Sequence, residues 1–89
     1  MNFTTDYDRT YDLLYVRPMP HIPFYADEDR NGITTLRSIE DDSAVGMVID
    51  GFKKRCNSGT LDQNSLPFPI DVNDSKIQSY LLLNETSVL

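Results

Sequence analysis

One cysteine, one histidine and no tryptophan stand among the 89 residues, and these shortages narrow the chemistry first. A lone Cys56 forms no internal disulfide and no cysteine-based zinc site. A lone His21, set between prolines, has no base partner nearby, so a Ser-His-Asp or Cys-His arrangement lacks its positioned imidazole. The four glycines are too scattered to form a phosphate-cradling loop. No apolar run approaches the roughly 20 residues that a membrane helix needs, and the opening residues do not read as a signal leader. The expectation is therefore a cytoplasmic, non-enzymatic protein with no cofactor and no metal. Sequons at Asn2, Asn73 and Asn84 then read as chance.

What the chain does hold is acid. Its net charge is −6, and all of it sits in the first 50 positions. There, ten acids (Asp6, Asp8, Asp12, Asp27, Glu28, Asp29, Glu40, Asp41, Asp42, Asp50) meet four arginines, at positions 9, 17, 30 and 37. Residues 51–89 hold equal numbers of each sign. Such a surface repels phosphate backbones and anionic lipid, which argues against direct nucleic-acid or membrane binding, and it attracts a basic protein surface. With 39% hydrophobic and 25% charged residues, the composition is globular. A chain this short buries only about 60–65% of its unfolded surface, so the core is thin and a partner has room to add to it.

Read along its length, the chain suggests one small α+β domain over residues 1–89, with two or three short strands, one main helix and extended proline-bearing segments. Phe3, Tyr7, Tyr11 and Tyr15 recur at a spacing that fits one face of a strand, with Leu13, or a stripe on a helix, and the β-rich composition favours a strand at least over Tyr11 to Arg17. The run Arg17 to Pro23 carries three prolines, which lack amide donors and predict the end of any ladder. Asn31-Gly32 predicts a tight turn, and Ile33 to Ile39 a strand. The main helix is expected over about 44–56. Val45, Val48, Ile49, Phe52 and Cys56 follow helical spacing, Asp42 or Ser43 can cap the start, and Asn57-Ser58-Gly59 the end. Lys76 to Asn84 fits either a strand or a helix capped by Asn73 or Asp74.

Four segments carry binding chemistry. Asp27-Glu28-Asp29-Arg30-Asn31-Gly32 resembles the first half of an EF-hand calcium loop, with alternating oxygens and a glycine at the turn, but Ser38 stands where that loop has its bidentate glutamate. Arg17, Met19, Pro20, Ile22 and Pro23 match the pattern of a ligand for Src-homology-3 domains, which the resemblance implies would dock as a polyproline helix. The ending Ser87-Val88-Leu89 resembles a C-terminal ligand of PDZ domains. Finally, Asp6, Asp8, Asp12 and the triads Asp27-Glu28-Asp29 and Glu40-Asp41-Asp42 could present carboxylates to a basic groove. The leading expectation is a small subunit or accessory protein of a larger assembly, a viral or phage one included, that binds another protein. The alternatives are an acidic inhibitor of the phage anti-defence or host-takeover type, which blocks a nucleic-acid-binding surface, and a calcium-binding module. Self-assembly into a homo-oligomer stays open.

Overall fold

The computed structural model describes residues 2–82, so the Ser87-Val88-Leu89 ending and the sequon at Asn84 lie outside the described residues. Five strands form one sheet: β1 (Asn2–Asp8), β2 (Leu13–Met19), β3 (Phe24–Glu28), β4 (Ile33–Ser38) and β5 (Ala44–Asp50). Two short helices follow, α1 (Phe52–Ser58) and α2 (Ser75–Leu81), with a 3-10 turn at Gln63–Ser65 between them. The strands lie in the order β1-β2-β5-β4-β3, and every neighbouring pair is antiparallel. This mostly β architecture corrects the expectation of two or three strands and one main helix.

The largest correction falls on residues 44–50, expected as helix and found as the middle strand of the sheet. The apolar positions that matched helical spacing also form an almost unbroken apolar run, and a strand flanked on both sides reads that way too. β-Branched Val45, Val48 and Ile49 favour the pleated surface. Gly46, which would weaken a helix by about 1 kcal/mol, has a positive role in the strand. A Cβ there would sit 2.4 Å from the Val16 carbonyl oxygen of β2. The acids expected to open the helix instead build the β4–β5 turn, where Asp41 Oδ1 accepts from the amide and hydroxyl of Ser43. The helical reading holds only from Phe52 onward, and Gly59 closes α1 with the left-handed cap anticipated. α2 takes the helical option, with Asp74 accepting from the amides of Lys76 and Ile77.

The tyrosine repeat divides in two. Asp8 Oδ1 accepts from the amides of Thr10 and Tyr11 and turns the chain back, so β1 and β2 form a hairpin rather than one strand. Tyr7 pairs across with Leu14 and packs on the core, Tyr11 sits in the turn at 71% exposure, and Tyr15 pairs with Asp6 and Val48 on the other face. β2 also runs further than its prolines suggested. Arg17 and Pro18 still pair with Thr4 and Phe3 of β1, while the pairing of β2 with β5 stops at Val16. The amide that Pro18 lacks is therefore not needed.

From Met19 the chain must reach β3, three strand positions away, which is about 14 Å at normal strand spacing. Five residue steps span at most about 17 Å. Pro20-His21-Ile22-Pro23 is thus held nearly extended across the ends of β5 and β4, and Pro23 accepts a hydrogen bond from the Ile39 amide. The result is a Greek-key order for β2 to β5.

One face of the sheet carries the core. Leu14 and Val16 of β2, Ile33 of β4 and Met47 and Ile49 of β5 pack with Phe52, Leu66 and Ile77 from the helices and their connection. Among the described residues no helix is long and apolar enough to cross a membrane.

Candidate functional site: the open face of the sheet

Strand alternation that sends Leu14, Val16, Met47 and Ile49 into the core sends their neighbours to the opposite face. The register brings Leu13 beside Asp8 and Asp50, Tyr15 beside Asp6 and Val48, and Thr34 beside Val48 and Glu28. Further across, Leu36 pairs with Ala26 and Phe24 with Ser38. Both helices contribute their buried residues, Phe52 and Ile77, to the core on the other side. Leu13, Tyr15, Val48 and Phe24 remain half-buried, while Leu36 and Ser38 between Phe24 and β5 are buried.

This face has an apolar middle and an acidic rim. Asp6 and Asp8 border it on β1, Asp50 at the end of β5 and Glu28 at the end of β3. Arg17 is the base set among them. Its guanidinium lies 4.6 Å from the centre of the Tyr15 ring and 3.9 Å from Asp6. Both ionic partners are well exposed, so the pair adds little stability. A shallow hollow of about 280 Å³ opens near the β3–β4 turn, walled by Leu13, Thr34 and Val48 and by the acids Glu28, Asp29 and Asp50. The arrangement offers apolar contact at the centre and carboxylates around it.

The residues singled out in the sequence scatter. Asp6, Asp8, Arg17 and Glu28 share the open face by alternation, Asp29 borders the hollow, and Met19, at the end of β2, lines a separate cleft with Phe3, Phe68 and Ile77. Asp12 does not join them, because its carboxylate accepts from the Tyr7 hydroxyl and from the amides of Lys53 and Lys54. Asp27 lies on the opposite face of β3 and pairs with Arg37 at 2.8 Å. Glu40, Asp41 and Asp42 occupy the β4–β5 turn, where Arg37 links Asp42 to Asp27: its Nε donates to the Asp27 carboxylate and its Nη1 to the Asp42 carbonyl. Asp27 and Asp42 thus share one arginine, while Glu28 and Asp29 line the hollow. Of the Src-homology-3-like run, Arg17 and Met19 belong to strand β2, and only Pro20, Ile22 and Pro23 lie in the extended crossover, with Ile22 half-buried.

Asp29, the centre of the calcium-loop resemblance, spends Oδ1 on the amides of Asn31 and Ile33. Among the described residues no group of three or more acids, histidines or cysteines is placed to hold a metal ion. His21 is exposed and meets the edge of Phe24, at 5.9 Å between ring centres. Cys56 lines a cleft with Leu61, Val72 and Leu81, and burial followed by the charge of Asp12 pushes its thiol upward, away from the reactive thiolate. Three other groups titrate away from their ordinary ranges, among them Arg37, raised by its hydrogen bond to Asp27. Tyr25 is raised because its hydroxyl donates to Asp42, and Asp41 is lowered because the hydroxyl and amide of Ser43 donate to it.

Sequence reasoning missed Leu13, Tyr15, Phe24, Thr34, Val48 and Asp50 as members of one surface. The signal was present as alternation within Leu13 to Arg17, but it needed β5 as a strand to acquire a second row. In class the molecule is a five-stranded antiparallel sheet with short helices packed on one side. The chain matches no protein-family model, and comparison with curated proteins and with solved structures gives no match either.

Proposed function

We propose that this is a non-enzymatic binding protein whose open sheet face takes up a protein partner with basic groups around an apolar patch. The observation that supports this reading is the pattern on that face: Leu13, Tyr15 and Val48 on the inner strands β2 and β5 with Asp6, Asp8, Asp50 and Glu28 about them, and Phe24 on the outer strand β3. An interface of this kind draws its affinity from the buried apolar centre, and Tyr is a residue type enriched at such centres. The rim steers encounter with a positively charged surface and disfavours nucleic acid or anionic lipid as direct partners. The setting is that of a small subunit or accessory protein in a larger assembly.

The same rim supports a second reading, an acidic inhibitor that covers a nucleic-acid-binding surface of its target. The two readings share the binding face and differ in what the target does once it is covered.

The test is affinity capture from the cells that make the protein, using the natural chain and a Val48→Lys variant that melts at a similar temperature. A protein retained by the natural chain and lost with the variant meets the expectation. Equal capture by both, or no specific protein with either, contradicts it. Restored nucleic-acid binding by the captured protein after its release selects the inhibitor reading.

A further inference from the structure

The sheet has two outer strands, and they are not alike. On β1 the Tyr80 hydroxyl of α2 donates to the Thr5 carbonyl at 3.0 Å, so a side chain already occupies that edge. On β3 two bonds fix which residues face inward: the Ile39 amide donates to the Pro23 carbonyl, and the Asp29 amide donates to the Ile33 carbonyl. With the register Phe24↔Ser38 to Glu28↔Thr34, the odd-numbered residues bond to β4. In an antiparallel pair the alternate residues then turn both N–H and C=O outward. Phe24, Ala26 and Glu28 thus present a row of donors and acceptors, and among the described residues no hydrogen bond to these groups is formed from outside the sheet.

Natural sheets usually blunt such an edge with proline, a bulge or inward-pointing charge. β3 contains no proline, and its pairing with β4 is regular, the one register shift falling between β4 and β5. Its charge is confined to one end. Asp27 is already matched by Arg37, which leaves Glu28 and the neighbouring Asp29 as the carboxylates beside the edge. A second copy added here would bring its own Glu28 and Asp29, with no base in either β3 to offset them.

From this we infer that β3 takes up an extended segment of the protein partner as a sixth strand. Apolar side chains of that segment lie beside Phe24 and Ala26 on the open face, and a lysine or arginine lies beside Glu28. The inference rests on the binding reading above and specifies its geometry: main-chain bonds from β3 supply the alignment, and the rim supplies the preference for a basic sequence.

The experiment selects random linear peptides displayed on phage against the full chain, then follows the enriched peptides by NMR. The expected peptides alternate apolar residues and carry lysine or arginine. They slow exchange of the Phe24, Ala26 and Glu28 amides, while Tyr25 and Asp27, already bonded to β4, change little. Ala26→Pro deletes an outward amide and leaves the inward bonds in place, so it should weaken binding by about tenfold or more without unfolding the sheet. Glu28→Lys, which leaves every backbone group intact, should weaken basic peptides comparably. Enrichment of acidic peptides, protection at other amides, or association of the protein with itself through β3 overturns the inference. Partner capture that is lost with Val48→Lys but kept with Ala26→Pro overturns the edge and retains the face. Loss with neither removes both.

Discussion

Asp12 caps a helix from 41 positions away in the chain: its Oδ1 accepts the backbone amide of Lys53, in the first turn of α1, at 2.7 Å. Gly51, the residue before α1, has no side chain for the task. Asp12 takes it over from the β1–β2 turn, and its backbone carbonyl accepts from the amides of Gly51 and Phe52 as well. The same carboxylate accepts the Tyr7 hydroxyl at 2.7 Å, so one side chain ties the hairpin, the end of β5 and the first turn of α1 together.

Asp12→Ala is therefore expected to destabilise the fold by about 2 kcal/mol, the upper range for a lost cap with charge-assisted bonds. Asp12→Asn, which keeps an acceptor and tolerates the positive φ of 55° at this position, should cost about half of that. Urea unfolding of the two variants measures the difference, and equal losses contradict the capping role.

Gly46 and Gly59 separate crowding from backbone preference. Alanine at Gly46 drives its Cβ against the Val16 carbonyl in the middle of the sheet, whereas at Gly59 nothing lies within 4 Å and only the φ of 71° opposes it. Gly59→Ala should cost about 1 kcal/mol. Gly46→Ala should cost about 3 kcal/mol or more, since β2 and β5 must move apart. Thermal melts of both proteins, run side by side, rank the two effects.

The proton on Tyr25 is held by Asp42, whose Oδ1 accepts the hydroxyl at 2.7 Å and raises the phenol above its ordinary range. The folded state then binds this proton more tightly than the unfolded chain does. Its stabilising contribution is complete below the ordinary tyrosine value of about 10 and is lost as pH rises through the folded value. Asp41 has the opposite sign: its lowered carboxyl contributes above the ordinary range, about 3.9, and loses that contribution as pH falls through the folded value. Phenolate absorbance should show a late-titrating tyrosine that is lost in Asp42→Ala. An unchanged titration in that variant removes the assignment.

Cys56 should alkylate slowly in the native protein near neutral pH, because burial and Asp12 both disfavour its thiolate. Denaturant should release it to the rate of a free thiol. Fast alkylation of the folded protein, equal to that in denaturant, contradicts the packing of α1 on the sheet.

Local chemistry was the legible part of this fold. The Asn31-Gly32 turn, the strand from Ile33, the Gly59 cap and the Asp74 cap each depend on residues within a turn of one another. What escaped was decided at a distance. Residues 44–50 satisfy helical spacing and strand composition together, and only the neighbours β2 and β4 settle the matter. Asp8 reverses the chain through two bonds to turn amides, which a repeat of tyrosines does not announce. The candidate site failed to emerge for the same reason. Tyr15 and Val48 lie more than thirty positions apart in sequence and meet only through the β2–β5 register, and Asp12 looked like a surface acid until α1 gave it amides to cap.

A partner seated on the uncovered side of the sheet would shield the side chains there from solvent. Hydroxyl-radical footprinting of the complex, with oxidation read at individual side chains, addresses that directly. Leu13, Tyr15 and Phe24 should lose reactivity when the partner is bound, while Tyr11, on the exposed β1–β2 turn, should keep it. Undiminished oxidation of those three, with protection appearing on α1 and α2 instead, would place the partner on the helical side and contradict the account.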